Sequence, residues 1–222
     1  MLTLLKLGGS LITDKSRPRT PRPEVLMRLA QEIAQACQKA PELQLILGHG
    51  SGSFGHVVAE RYGTRQGVYT SEQWKGFVEV WREALALNRL VVKALEEVGL
   101  PVFAFPPSAS AIAKDGKIVD WNLQPIQAAL RAALVPVVYG DVAFDQIRGG
   151  TILSTEDIFG YLAARLPVKR ILLAGLEPGV WADYPTCSRL VTEITAENIR
   201  EVLPALGGAR GRDVTGGMAS KV

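Results

Sequence analysis

The chain has 222 residues, 47% of them hydrophobic and 21% charged, which is typical of a folded globular protein and excludes a disordered one. Its formal net charge is only +3 and no cluster of Lys and Arg occurs, so we expect no nucleic-acid partner. No uninterrupted apolar run reaches about 18 residues, and we therefore expect no membrane-spanning segment.

Short apolar runs bounded by Gly, Pro or charged residues alternate with longer helical patterns along the chain. The first helical pattern places Leu26, Leu29 or Ala30, Ile33 and Cys37 on one face. The runs predict strands that are buried on both faces of a sheet. These predicted strands cover residues 2–7, 43–47, 102–105, 135–139 and 170–174.

A longer helix is predicted from about residue 71 to residue 97. Its expected buried stripe consists of Phe77, Trp81, Ala84, Asn88, Val91 and Leu95. Repeated strand, helix and strand units imply a mainly parallel sheet with helices on both sides. No low-complexity linker interrupts the pattern, so we expect residues 1–222 to form a single α/β domain.

Two segments interrupt the alternation and predict β-hairpins that project from the sheet. Residues 112–119 carry Asp115-Gly116 between flanks that tolerate a strand, and residues 144–153 carry Gly149-Gly150. We expect both hairpins to lie at the edge of the functional site.

The two cysteines of the chain, Cys37 and Cys187, lie far apart and show no metal-ligand spacing. Unpaired cysteines are typical of a reducing compartment. The first residues also lack the pattern of a secretory leader, so a cytoplasmic location is expected.

The segment Gly48–His56, GHGSGSFGH, follows a predicted buried strand. Glycines allow backbone N–H groups to approach a ligand closely, and a helix that begins there adds a positive dipole. This segment therefore predicts a phosphate-binding loop. Two further glycine-rich segments, residues 6–10 and 213–217, extend the expected site to the size of a polyphosphate.

Other nucleotide-binding motifs fit this loop poorly. Gly50, Gly52 and Gly55 satisfy GxGxxG, but Glu72 stands at the start of the long helix rather than at the end of a second strand. The P-loop ending GK[ST] is absent. Neither Ser51 nor Ser53 completes the GxSxG of a serine hydrolase.

Lys6 lies at the end of the first predicted strand, among apolar neighbours. An ammonium group there needs a nearby anion to offset its desolvation, and a transferred phosphoryl group would supply one. The alternative is a lysine whose stem is buried and whose charge reaches solvent. Gly8 and Gly9 directly after Lys6 favour phosphate.

Four segments together resemble the amino acid kinase superfamily and, within it, the isopentenyl phosphate kinases. They are KLGGSLITDKSRPRT from Lys6, GHGSGSFGH from Gly48, YGDV from Tyr139 and DVTGGMASKV from Asp213. The resemblance implies a three-layer αβα sandwich around an open, mainly parallel sheet, usually as a homodimer. It implies ATP-dependent phosphorylation of isopentenyl phosphate, with Mg²⁺ held mainly by the nucleotide phosphates.

Within this resemblance, Lys6 lies on the transferred phosphate, Lys15 near the same group, and His56 on the acceptor phosphate. Asp157 matches an acidic residue that holds the lysines in place. The remaining implied contacts are Gly8, Gly9, Ser10, Gly52, Gly217 and Lys221 for ATP, and Ser51, Gly52, Gly140, Phe77 and Trp81 for the acceptor. Core packing is the alternative for the two aromatic residues, and a solvated basic loop is the alternative for Lys15. For His56 the alternative is a histidine at the start of a helix that caps its own loop.

Two other functions stay open. Fosfomycin kinase resembles the same motifs, so the acceptor could be an antibiotic or another small monophosphate. A non-catalytic anion- or nucleotide-binding protein of this fold is the second alternative. The presence of Lys6, His56 and Asp157 together favours turnover, because a binding protein needs no transfer geometry.

Several positions depart from the family pattern. Ser51 replaces a usual glycine, which restricts its φ, and residues 172–181 lose polar groups that could contact the nucleotide base. His49 is expected to be structural rather than catalytic. Family members continue past the last lysine motif with a helix and a strand, so a chain that ended at Val222 would lack cover for one sheet edge.

Overall fold

The computed structural model of the chain describes residues 1–203, apart from the side chain of Glu201. Its helices and strands follow one another along the chain in this order: β1 (Leu2–Leu7), α1 (Gly9–Ile12), α2 (Pro23–Lys39), β2 (Gln44–His49), α3 (Gly52–Tyr62), α4 (Ser71–Glu97), β3 (Val102–Ala104), a 3-10 turn (Pro107–Ala109), β4 (Ile112–Lys114), β5 (Lys117–Asp120), α5 (Gln124–Arg131), β6 (Val135–Tyr139), β7 (Asp141–Asp145), β8 (Gly149–Leu153), α6 (Thr155–Ala163), β9 (Val168–Ala174), β10 (Val180–Trp181), β11 (Leu190–Val191) and α7 (Ile199–Val202).

The central sheet has the strand order β3-β6-β2-β1-β9, and each neighbouring pair is parallel. The predicted parallel sheet is thus confirmed. The predicted bounds of β1 and β6 match the structure, whereas those of β2, β3 and β9 differ by one or two residues. Because the strands are parallel, their carboxyl ends meet at one edge, where ligands collect in open α/β sheets.

Successive side chains of the central strands alternate between two hydrophobic cores. Leu45 and Leu47 lie in a core that also contains residues of α2 and α4. Ile46, between them, lies in a second core with residues of α5 and α6. This alternation follows from the two-residue period of a strand, and it places helices on both faces of the sheet. The predicted three-layer αβα architecture is confirmed.

Helix α4 has the predicted bounds, but its buried stripe differs from the prediction at one residue. Thr70 and Gln73 form a capping box that begins the helix. The stripe passes through Val80 and Ala84, both buried, while Trp81 is 37% exposed. One residue turns an α-helix by about 100°, which carries Trp81 away from the core.

A second, four-stranded sheet has the order β5-β4-β7-β8 and contains both predicted hairpins. Asp115 and Gly116 form the first turn, as expected, with φ of 50° and 77°. The second hairpin begins earlier than predicted, at Asp141, and Gly149 pairs with Asp145 instead of lying in the turn. The turn lies at residues 146–148 instead, because the Asp145 carboxylate accepts the N–H groups of residues 147 and 148.

None of the helices in residues 1–203 is both long enough and apolar enough to cross a membrane. Cys37 and Cys187 are both free thiols. Burial raises the pKa of the Cys37 thiol, which disfavours the reactive thiolate.

Candidate active site

Two glycine-rich turns meet at the carboxyl edge of the central sheet. One follows β1 and leads into α1; the other follows β2 and leads into α3. A Cβ on Gly9 would lie 2.6 Å from the backbone nitrogen of Gly52, so a side chain has no room between the two turns. Gly52 itself has φ of 53°, and its Cβ would collide with Oγ1 of Thr13. The two turns therefore form a narrow cradle of closely packed main chain.

Thr13 holds the two turns together. Its Oγ1 donates to the carbonyl of Gly9 at 2.7 Å and accepts the N–H of Ser53 at 2.9 Å. Its side chain is completely buried. The sequence offered no motif that would single out this threonine, because its two partners come from different turns of the chain.

His56 lies on the first two turns of α3 and is nearly buried. Its Nδ1 lies 3.2 Å from Oγ of Ser51, and its Nε2 lies 3.5 Å from Nζ of Lys15. The structure thus brings together three residues that were predicted as site residues. Ser51 has φ of −72°, so the serine that replaces the family's usual glycine causes no backbone strain.

The loop that carries Lys15 is attached to α3 and α4. Thr20 receives a hydrogen bond from Asp14 and donates its own N–H to Oγ of Ser53 at 3.0 Å. Arg19 forms a 2.7 Å ion pair with Glu83 of α4. These contacts hold Lys15 beside His56 even though the lysine itself is exposed.

Lys6, at the end of β1, forms an ion pair with Glu156 of α6. The two side chains are only 9% and 13% exposed. The carboxylate that holds Lys6 is thus Glu156, whereas the family resemblance assigned this role to Asp157. Glu156 was missed by the sequence reasoning.

Asp157 has a different position. Its carboxylate accepts the N–H of Ser154 at 2.8 Å and the hydroxyl of Ser154 at 2.7 Å, which forms the capping box of α6. It also lies 3.3 Å from Arg65. The S-x-x-D spacing is a signal that could have corrected the prediction, because an acid at the third helical position turns back to the N-cap.

Gly140 lies at the end of β6, as predicted, but its N–H already donates to the carbonyl of His49 at 3.0 Å. The hydroxyl of Thr155 donates to the same carbonyl at 2.7 Å. The N–H of Gly140 thus stabilises the edge of the sheet, and the main-chain contact of Gly140 with the acceptor phosphate stays a prediction.

Phe77 belongs to an aromatic cluster between α4 and the β7–β8 hairpin. Its ring lies 5.1 Å from Trp74 and 5.5 Å from Phe144, between centroids. A Cβ on Gly150 would lie 2.9 Å from the Phe77 ring, so this glycine makes room for it. The exposed Trp81 takes part in none of these ring contacts.

The structure describes only some of the residues that were predicted to bind ATP. The N–H of Gly8 donates to the carbonyl of Ala174 at 2.8 Å, which joins β9 to the first glycine-rich turn. Ser10 lies in α1 and is half-buried. Gly217 and Lys221 lie outside the described residues. Within residues 1–203, His, Cys, Asp and Glu side chains do not form a group of three that could hold a metal ion.

The sequence profile of the amino acid kinase family matches residues 1–222. The chain belongs to the amino acid kinase family. It is 35% identical over its whole length to the isopentenyl phosphate kinase of Methanocaldococcus jannaschii, of which it covers 85%. It is 36% identical over its whole length to that of Haloferax volcanii, of which it covers 86%.

Solved structures agree with this membership of the amino acid kinase family. A structure described as an X-ray structure of isopentenyl phosphate kinase superposes with a TM-score of 0.80 at 29% identity, covering 93% of this chain and 86% of the other. A product complex of the Thermoplasma acidophilum isopentenyl phosphate kinase gives a TM-score of 0.78 at 26% identity, covering 93% and 85%.

Proposed function

We propose that this amino acid kinase transfers the terminal phosphoryl group of ATP to isopentenyl phosphate, giving isopentenyl diphosphate and ADP. The observation that carries the proposal is the group formed by His56, Ser51 and Lys15 at the start of α3. Its hydrogen-bond donors and positive charge suit a phosphate acceptor. The full-length similarity to isopentenyl phosphate kinases supports this acceptor over other phosphates.

The chemistry needs positioning and charge neutralisation rather than a general base. The nucleophile is a phosphate oxygen, which is already ionised at neutral pH. Two anions must then approach each other against their repulsion, and Lys6 and Lys15 reduce that repulsion. His56 donates a hydrogen bond to an oxygen of the acceptor phosphate that does not take part in the new bond.

ATP with Mg²⁺ fits the described residues. A Cβ on Gly9 or Gly52 would collide with its neighbours, so the phosphate contacts that we propose at these two glycines come from the main chain. Lys6 is held at the rim of the cradle by Glu156. Mg²⁺ supplies neutralising charge to the phosphate chain, and we propose that the nucleotide phosphates are its main ligands. Gly8, Gly9, Ser10 and Gly52 are the proposed ATP contacts within residues 1–203.

The apolar tail of the acceptor would lie against the aromatic cluster of Trp74, Phe77 and Phe144. Phe77 packs between α4 and the β7–β8 hairpin, beside Val142 and Ile152 in a common apolar cluster. Burial of an isoprenoid chain there would contribute about 0.8 kcal/mol for each methylene removed from water. Trp81, which is 37% exposed, lies outside this cluster.

We also propose that the protein is a homodimer and that it is located in the cytoplasm. The two free thiols are in keeping with a reducing compartment. Light scattering on the purified protein tests the oligomeric state: a mass twice that of the 24.0 kDa chain is expected, and a monomer at working concentration would contradict it.

The function is tested by supplying radiolabelled ATP and Mg²⁺ with isopentenyl phosphate, dimethylallyl phosphate or fosfomycin. We expect the fastest transfer to isopentenyl phosphate. Faster transfer to fosfomycin would assign an antibiotic acceptor. Tight ATP binding without transfer to any of the three would identify a binding protein instead.

His56→Ala tests the acceptor contact. We expect turnover to fall by about 10² while the KM for ATP changes little, because one donor to the acceptor phosphate is lost. Lys93→Ala is the control, since Lys93 is exposed on α4 and pairs with Glu97 at 3.8 Å. A collapse of ATP affinity in His56→Ala with normal turnover would contradict the assignment.

A further inference from the structure

His49, the last residue of β2, is 1% exposed and has no role in the proposed transfer. Its carbonyl accepts hydrogen bonds from Gly140 at the end of β6 and from Thr155 at the start of α6. The main chain of His49 therefore joins the two central strands to the helix that carries Glu156. Its side chain makes a separate set of contacts.

The imidazole of His49 lies between the glycine-rich loop and helix α4. Nδ1 is 3.2 Å from the carbonyl oxygen of Gly50, and Nε2 is 3.1 Å from Oδ1 of the Asn88 amide. The ring stacks on Tyr139, with centroids 5.3 Å apart and planes inclined by 9°. Asn88 is buried as well, in a stripe of α4 whose other buried side chains are apolar apart from Glu83. A buried amide there needs a partner.

The protonation state of this ring follows from its surroundings. Burial lowers the pKa of His49, so the neutral imidazole with a single N–H is favoured. If Nε2 carried the proton, the lone pair of Nδ1 would face the lone pairs of the Gly50 oxygen. If Nδ1 carries it, Nδ1 donates to Gly50 and Nε2 accepts from Asn88, whose amide presents its NH2 after a half-turn.

The hydrogen bond from Nδ1 to the Gly50 carbonyl determines how the next peptide of the loop is oriented. In a trans peptide, the C=O of one residue and the N–H of the next point in opposite directions. A Gly50 carbonyl held towards buried His49 therefore directs the N–H of Ser51 away from the core. Gly50 lacks a side chain, so without this bond the peptide between Gly50 and Ser51 could rotate at little cost.

We propose that His49, oriented by Asn88, is a positioning residue that holds the Gly50–Ser51 peptide so that the Ser51 N–H faces the bound phosphate. The inference rests on the proposed function, since it requires a phosphate ligand at the loop. It accounts for the burial of the polar pair His49 and Asn88 between β2 and α4.

Two substitutions of His49 test the roles of its two ring nitrogens one at a time. The side-chain nitrogen of Asn is as many bonds from Cβ as Nδ1 of His, whereas that of Gln matches Nε2. Both variants lose the ring that stacks on Tyr139, so their unfolding temperatures should be similar. We expect His49→Gln to lower kcat/KM for the acceptor about tenfold or more, while His49→Asn retains most of it.

Equal losses in both variants, or losses that follow the unfolding temperature, would overturn the positioning role. Asn88→Leu provides a further check, because it removes the partner of Nε2 but no group near the loop. We expect it to lower kcat/KM for the acceptor without changing the KM for ATP. Unchanged kcat/KM would contradict the role of Asn88.

A measurement independent of turnover is ¹⁵N NMR of the unmodified protein. We expect the Nδ1–H tautomer of His49, and a Ser51 amide resonance that moves when inorganic phosphate is added in wild type but not in His49→Gln. The Nε2–H tautomer or a charged ring at neutral pH would overturn the inference. If these signals are found but no acceptor is phosphorylated, the proposed function fails and the positioning role stands.

Discussion

The two halves of the sheet edge differ in how they are stabilised. Around β2 and β6, the carbonyl of His49 joins Gly140 and Thr155, and its ring joins Gly50 and Asn88 through buried hydrogen bonds. Around β1 and β9, the polar contacts include the ion pair of Lys6 with Glu156 and the hydrogen bond from the Gly8 N–H to the Ala174 carbonyl. The exposed apolar residues of this second half lie on β9 and are Ile171, Leu172 and Leu173.

The difference corresponds to two ways of positioning groups at the proposed phosphate site. A network of buried hydrogen bonds fixes main-chain N–H groups, and each partner depends on the others. An ion pair places one charge, and its loss leaves the partner uncompensated. Substitutions in the two halves should therefore have different consequences for stability and turnover.

Glu156→Gln is expected to have the largest effect, because it leaves the Lys6 ammonium nearly buried without its anion. Breaking a buried ion pair by removing one partner costs about 3–5 kcal/mol of unfolding free energy. We expect urea denaturation to show a loss in this range. Turnover should fall by about 10², since Lys6 is no longer held towards the phosphate.

Asp157→Asn is the matched control one residue along α6. It weakens the capping box with Ser154 and should cost about 1 kcal/mol, because the group is partly exposed and the cap is local. Its turnover loss should be the smaller of the two. A loss as large as that of Glu156→Gln would contradict the assignment of Glu156 as the carboxylate that holds Lys6.

Leu47→Ala and Leu172→Ala compare the two halves directly, since both residues pair with Leu5 in the sheet. Leu47 on β2 is 1% exposed, and Leu172 on β9 is 42% exposed. We expect the first substitution to cost about 3 kcal/mol and the second less than about 1 kcal/mol. Thermal or urea unfolding measures both, and similar losses would show that β9 is as well packed as β2.

The half of the sheet edge around β2 and β6 also contains a buried carboxyl group, that of Asp141. Burial raises its pKa from 3.8 to about 6, against the hydrogen bonds from Ser108 and Val142 that lower it. The folded chain therefore keeps this proton to a higher pH than the unfolded chain does. The free energy of unfolding should fall by about 2–3 kcal/mol as the pH rises from about 4 to about 7, through the folded pKa of Asp141.

The comparison with Asp141→Asn isolates this dependence, because asparagine carries no proton in this range. Urea denaturation at several pH values should show the difference between the two proteins changing across the window and staying constant above it. A constant difference from pH 4 upwards would contradict the raised pKa of Asp141.

The sequence by itself determined most of the architecture. The apolar runs predicted β1 and β6 with the bounds that the structure shows, and the helical period predicted α4. These patterns are informative because burial repeats every two residues in a strand and every 3.6 in a helix. The glycine-rich loop and His56 were equally visible, since their motif is contiguous in the chain.

Which residues from distant parts of the chain contact each other was decided only by the tertiary structure. Lys6 and Glu156 are separated by 150 positions, so only the fold shows that Glu156, not Asp157, lies at the lysine. His49 and Asn88 meet across 39 positions. Periodicity describes which face of an element is buried but not which residue of another element it meets. Trp81 shows the same limit, because one position on a helix is enough to turn a side chain from the core to solvent.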